Sequence, residues 1–326
     1  PVDDINTLMR HPAVFDNIRK PRHTIVLCHG LYGFDFSRPF FGIEIHYWAA
    51  VLDILRKKIG ADVIVRGVPG TGSIASRAKA LHEFLLSDEA GVRGQKVNFV
   101  GHSMGGLDAR YLISHLRPKP EEYIPVSVTC ISTPHRGSPF MDWCNANVGI
   151  GREYVEECIR DGDSSTAKKT APNSSSPSSS SFKSLSALEF VTPLTRALSS
   201  FTGSFSSYML SVLDQPAYAM LSTRYMSKVF NPSTPDMPNV SYFSIAARTR
   251  KIPLWHPLWL PKVILDAAAE ARTAGSERDG SADALGNAEN QGNDGLVSVQ
   301  SAKWGTFLGV VEDADHWDLR GGGGPR

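Results

Sequence analysis

An α/β architecture, a mostly parallel sheet with helices on both faces, is predicted by three observations. Short β-branched apolar runs alternate with segments of helical periodicity from Thr24 to Ser132. The helical segments are long enough to carry the chain back over a sheet between parallel neighbours. Finally, the pentapeptide Gly101-His102-Ser103-Met104-Gly105 stands between an apolar run and a helical pattern, the strand–turn–helix setting in which such a turn lifts a serine above a sheet edge. At 326 residues the chain can bury a large core, and it reads as a single domain over 1–326.

Thr24 to Cys28 is the first strand. Tyr47, Trp48, Val51, Leu52, Leu55 and Ile59 recur at helical spacing, with Gly60 as a stop signal. Asp62 to Arg66 is strand-like. Ser73 is the expected N-cap of a helix whose apolar stripe is Ile74, Leu81, Phe84 and Leu85. Val97 to Val100 forms the next strand, Met104 to about Leu116 a helix, and Val126 to Ser132 another strand. After Thr133-Pro134-His135-Arg136-Gly137-Ser138 the regularity is expected to stop. Residues 173 to 186 hold nine serines in fourteen positions, too little apolar surface to fold, so a disordered insert is expected. Leu188 to Leu213 reads as one or two strongly apolar helices, Val240 to Ala246 as a strand, Leu254 to Ala271 as a Trp- and Pro-rich segment with an Ala-rich helix, Thr273 to Gly292 as a polar linker, and Phe307 to Val311 as the last strand.

Composition excludes several function classes. Lys plus Arg is 34 against 33 for Asp plus Glu, so no charge footprint for nucleic acid or for an anionic bilayer follows from the balance. The most apolar stretch, Ile252 to Ala269, is broken by His256, Lys262 and Asp266, and no transmembrane span is expected. Cys28, Cys130, Cys144 and Cys158 lack metal-ligand spacing. Cys144 and Cys158, in a polar stretch, are candidates for pairing in an oxidising compartment. An intracellular, lipid-associated or mitochondrial location is favoured over secretion, and the oligomeric state is not legible.

A serine hydroxyl needs a base within hydrogen-bond reach, itself oriented by an acid. Asp294 and His316 follow Ser103 in the order that such sheets use. His316 lies just past the last strand. Asp266, Asp313, Asp315 and Asp318 compete with Asp294, but Asp266 sits in a helix pattern, and Asp313 and Asp315 are too near His316 in sequence to approach its Nδ1 easily. The oxyanion formed on attack requires preorganised N–H donors. Met104 at the helix start and Leu31 in the loop His29-Gly30-Leu31-Tyr32-Gly33-Phe34 are the candidates.

Together these residues resemble an α/β-hydrolase lipase, similar to bacterial true (family I) lipases and to fungal and yeast mitochondrial triacylglycerol lipase relatives. The matching words also include Tyr242-Phe243-Ser244, Asn293-Asp294-Gly295-Leu296-Val297 and Asp315-His316-Trp317-Asp318. The resemblance implies the α/β-hydrolase fold with an inserted helical lid over 139–238, a triad of Ser103, Asp294 and His316, and an oxyanion hole of Leu31 and Met104. It further implies Tyr32, Phe34 and Trp317 as substrate contacts, no required cofactor, and a carboxylate at Asp318 where many bacterial members bind structural calcium. The Ser-rich insert departs from the bacterial pattern.

Hydrolysis of long-chain lipid esters at an oil–water or membrane interface is the expected activity. Leu198, Phe201, Phe205, Met209 and Leu213 are the apolar lid face. Lipid acyl transfer or phospholipase activity through the same triad is the alternative, and a catalytically silent lipid-binding protein is disfavoured because every catalytic position is chemically competent.

Overall fold

The structure, a computed structural model, describes residues 19–31, 47–167, 216–279 and 291–321. Among these residues six strands form one sheet in the order β2-β1-β3-β4-β5-β6. They are β1 (Thr24–Cys28), β2 (Val63–Val65), β3 (Lys96–His102), β4 (Ile124–Ile131), β5 (Ser241–Arg248) and β6 (Thr306–Glu312), and every pairing among them is parallel. Cys28 stands beside Gly101 and His102 beside Ile131. The chain segments that follow β1 and β3 therefore leave the same sheet edge side by side, at the carboxyl end where open α/β sheets gather their ligands.

Residue parity divides β1 between two cores. Val26 and Cys28 face a layer with Val97, Phe99, Val128 and Cys130, closed by Ala78, Leu81 and Leu85 of α2 (Ile74–Leu86) and by Ala109 of α3 (Met104–Tyr111). Ile25 and Leu27 face the opposite layer with Trp48, Val63, Val65 and Val100. That alternation is the period-two geometry of a strand, and burial on both faces is why these runs are almost continuously apolar. Each fully buried side chain such as Phe99 contributes about 1.5–3 kcal/mol.

The helices follow their local signals. Ser73 caps α2, its Oγ accepting from Ser76 N–H at 3.1 Å. α1 (Ala49–Asp53) and α3 both run on into π-helical turns, Ile54–Lys58 and Leu112–Leu116, so the helical patterns read to Ile59 and Leu116 are realised with a change of pitch.

Regularity does not stop after Ser138. α4 (Pro139–Val148) and α5 (Arg152–Ala167) occupy that stretch, followed by α6 (Pro216–Met220) and helical turns at Thr223–Tyr225 and Asn231–Ser233. Their apolar residues, including Met141, Val155, Tyr218, Met226 and Phe230, join Ile74, Met104 and Leu107 in a third cluster over the start of α3. α7 (Trp259–Asp279) extends into the expected linker, which overturns the polar boundary at Thr273, and α8 (Val299–Ala302) precedes β6. Cys144 belongs to the third cluster and Cys158 packs against it, but they are not joined in a disulfide, nor are Cys28 and Cys130. The Ser-rich segment 173–186 and the lid-face residues Leu198 to Leu213 lie outside the described residues. No helix among the described residues is long and apolar enough to cross a membrane.

Candidate active site

Ser103 occupies the turn between β3 and α3 with φ 55° and ψ −129°, a left-handed conformation costly for any residue with a Cβ. The serine itself carries that strain, and its neighbours permit it. A Cβ on Gly105 would run into the Cys28 carbonyl oxygen and one on Gly101 into the Gly106 nitrogen. These glycines are thus demanded by the close approach of α3 to β1 and β3, not by their own backbone angles. Ser103 N–H donates to Ile131 O at 2.9 Å, locking the turn to β4.

Asp294 and His316 meet. His316 Nδ1–H donates to Asp294 Oδ2 at 2.7 Å, and both side chains are almost wholly buried. The other carboxylate oxygen, Oδ1, accepts from Val297 N–H (2.7 Å) and Leu296 N–H (3.0 Å), which fixes the acid in its loop. His316 N–H also donates to the Asp294 carbonyl at 2.9 Å. With Nδ1 occupied, the tautomer leaves His316 Nε2 as the nitrogen with a free lone pair.

The histidine is tied to the serine turn by a residue read only as turn architecture. His102 Nε2–H donates to the His316 carbonyl at 2.9 Å, and the two rings lie 4.7 Å apart between centroids. His102 Nδ1 accepts from Tyr47 O–H at 2.6 Å, and the Tyr47 oxygen accepts from Gly30 N–H at 3.0 Å. Burial, then the neighbouring His316, holds His102 well below the ordinary histidine range, so it stays neutral with one donor and one acceptor, as this chain requires. Sequence reasoning missed Tyr47 because its partner lies 55 residues away.

The loop after β1 is built around the same turn. A Cβ on Gly30 would stand 2.8 Å from Ser103 Cβ and 2.9 Å from Tyr47 Oη, so only glycine lets this backbone lie against the serine. The Gly30 carbonyl accepts from His29 Nδ1–H at 2.8 Å, and His29 Nε2 accepts from Val68 N–H at 3.0 Å. Arg77 donates to the His29 carbonyl at 2.7 Å and pairs with Asp108 at 2.8 Å, both side chains being sealed from solvent. Since C=O and N–H point oppositely across a trans peptide, anchoring the Gly30 carbonyl turns the Leu31 N–H away from His29. Leu31 itself packs on the cluster containing Met104. Burial, then the Arg77 charge, lowers His29 to about 4. Burial likewise raises Asp108 to about 6 against the opposing pull of Arg77. A charged helix pattern gave no sign that Arg77 and Asp108 would be interior.

The remaining candidates are resolved as follows. Asp266 accepts from Asn293 Nδ2–H at 2.7 Å and pairs with Lys262, standing behind the acid loop rather than in it. Asp315 Oδ1 accepts from Trp317 and Asp318 N–H groups. Trp317 is partly buried, 5.1 Å from the His256 ring. Asp318 Oδ2 accepts from Asp315 N–H at 3.1 Å. Among the described residues no three His, Cys, Asp or Glu side chains are grouped to hold a metal ion. Tyr32 and Phe34 lie outside the described residues.

Comparison with known proteins agrees with this architecture. A family model described as "Putative serine esterase (DUF676)" matches residues 19–170. The chain is 29% identical to Triacylglycerol lipase 2 of Saccharomyces cerevisiae, over 93% of this chain and 82% of that protein. It is 34% identical to Triacylglycerol lipase of Burkholderia plantarii over 42% of this chain and 37% of that one. Among solved structures, the Staphylococcus hyicus lipase aligns with a TM-score of 0.55 at 18% identity, covering 94% of this chain and 90% of that chain. The mature Bacillus licheniformis lipase BlEst2 aligns with a TM-score of 0.53 at 19% identity, covering 91% and 86%. The chain is a hydrolase of the α/β-hydrolase fold, similar to yeast and bacterial lipases.

Proposed function

We propose that the protein hydrolyses carboxylic esters of lipids, triacylglycerols among them, through an acyl-enzyme on Ser103. His316 Nε2 takes the Ser103 proton as Oγ bonds to the ester carbonyl carbon, and Asp294 holds the imidazole in the tautomer this needs. The carbonyl oxygen gains the negative charge, which the N–H groups of Met104 and Leu31 stabilise. As the intermediate collapses, the alkoxide leaves with the proton from His316. Water, deprotonated by the same nitrogen, then attacks the acyl carbon and frees the acid. The observation that carries this reading is the buried 2.7 Å bond between His316 Nδ1 and Asp294 Oδ2, beside an elbow whose serine is held at φ 55°. Lipid as the substrate class is supported by the names of the relatives.

The test is a p-nitrophenyl ester series from acetate to stearate and emulsified trioleoylglycerol, on wild type and Ser103→Ala, with fluorophosphonate labelling in parallel. Turnover and labelling that both vanish in the variant are expected. Turnover retained in Ser103→Ala overturns the nucleophile, and products acylated on added glycerol or lysophospholipid in place of free acid replace hydrolysis with acyl transfer.

A further inference from the structure

We propose that the turn at Leu254-Trp255 is a docking tip that seats the active-site edge on a phospholipid surface bearing anionic headgroups. The inference rests on the lipid-ester reading above. Among the described residues four large apolar side chains are strongly exposed, and the two most exposed are consecutive, Leu254 at 70% and Trp255 at 86%. Soluble surfaces bury side chains of this kind or use them. Tryptophan, with an apolar body and a polar N–H, belongs to the water–lipid boundary.

The tip is held rigidly. Pro253 and Pro257 flank it, His256 N–H donates to Pro253 O at 2.9 Å, and Trp259 N–H donates to His256 O at 2.9 Å. Its foot stands on the catalytic loops. Ile252 Cδ1 and Leu258 Cβ close over Gly295, the residue after Asp294, at 2.6 and 3.2 Å from where a Cβ would sit. The His256 ring packs 5.1 Å from Trp317, and its Nε2 lies 3.6 Å from Asp315 Oδ2, so it touches both residues flanking His316. A tip pressed into lipid therefore brings the acid and histidine loops to the same interface.

Charge selects the kind of surface. Arg248, Arg250, Lys251 and Lys262 fall in 248–262, and no acidic residue does. Arg248 is matched by Glu312 and Lys262 by Asp266, whereas Arg250 and Lys251 are exposed. Two exposed cations beside an apolar tip are complementary to anionic headgroups. The overall charge of +1 hides this local excess.

The experiment is vesicle co-sedimentation of the full chain with phosphatidylcholine, alone or mixed with phosphatidylglycerol, alongside hydrolysis of soluble p-nitrophenyl butyrate and light-scattering mass. The double variant Leu254→Ser, Trp255→Ser is expected to bind mixed vesicles roughly tenfold more weakly, and Trp255→Phe to restore most of that binding. The pair Arg250→Ser, Lys251→Ser is expected to lose roughly tenfold of the preference for phosphatidylglycerol. All three keep butyrate hydrolysis, which shows that they are folded. Wild-type vesicle binding in the Leu254, Trp255 variant overturns the proposal, as does a wild-type dimer that the same variant converts to monomer, which would make the tip a contact between copies. A wild-type chain that cleaves no ester but loses vesicle binding in the variant supports the docking tip while overturning the lipid-ester reading.

Discussion

The carbonyl of His316 is held by Nε2–H of His102, the residue immediately before Ser103. The position of the histidine is thereby set from the serine's own turn, and through Tyr47 from the loop containing Gly30. Tyr47→Phe removes the O–H that fixes the His102 tautomer and should lower kcat for a short-chain ester several-fold with KM nearly unchanged, since a small misplacement of a reacting group is costly. His102→Phe should lower kcat further, roughly tenfold or more, and cost about 1–3 kcal/mol of stability by leaving a buried carbonyl unpaired. Kinetics that match wild type in Tyr47→Phe would remove the network from catalysis.

Asp294→Asn keeps the shape of the acid loop but offers an N–H where an acceptor is needed. The His316 tautomer is then wrong, and kcat should fall by about ten-thousandfold while the melting temperature changes little. A loss under tenfold in steady-state kinetics would shift the acid's role to another carboxylate, and Asp266, which reaches Asn293, would be the one to test next.

Arg77 and Asp108 form a sealed pair, and Arg77 also carries the His29 carbonyl. Arg77→Met leaves the Asp108 carboxylate alone in the interior and should destabilise the fold by about 3–5 kcal/mol in urea unfolding. Replacing both residues, Arg77→Met with Asp108→Leu, should recover much of that stability but not kcat, because the loop beside Ser103 loses its anchor. Full recovery of kcat in the double variant would show that Arg77 acts on stability alone.

Acid should destabilise the protein. His29 has its folded value lowered to about 4, so between its ordinary value of 6.5 and 4 the unfolded chain binds a proton that the folded chain refuses. Stability therefore falls as pH drops through this window, by about 2 kcal/mol at pH 5 from His29 alone. His102 and His135, both lowered well below 6.5 mainly by burial, act in the same direction. His82 and His115, lowered chiefly by burial, add to this, while Asp108, raised to about 6, and Asp142, raised by burial, act oppositely, two groups against five. Urea midpoints at pH 7 and pH 5 check the sign, and a midpoint that rises toward pH 5 contradicts it.

Much of this was legible in the sequence because parallel strands and amphipathic helices are written in local periodicity. β1 was read at both ends, the Ser73 cap was correct, and the serine turn was recognisable from its flanks. Asp294 and His316 were nominated by chain order and do meet. What was missed depends on long-range burial. Nothing adjacent in sequence marks Arg77 as interior, and Tyr47 acquires its partner only when α1 folds beside β3. α5 was overlooked because its composition is polar, although Tyr154, Val155, Cys158 and Ile159 recur at helical spacing and settle on the third cluster. The π-helical turns leave no signature, since the same residues serve either pitch.

The strand order also sets a timetable. The serine turn rests on β1, β3, β4 and α3, all made early in synthesis, whereas His316 follows β6, which among the described residues is an edge strand paired with β5. A nascent chain can thus form the strained serine turn before it has made the His316 imidazole with which the proposed mechanism pairs it. On the proposed triad, incomplete copies carry the nucleophile without its base and stay chemically mute until the last strand takes its place.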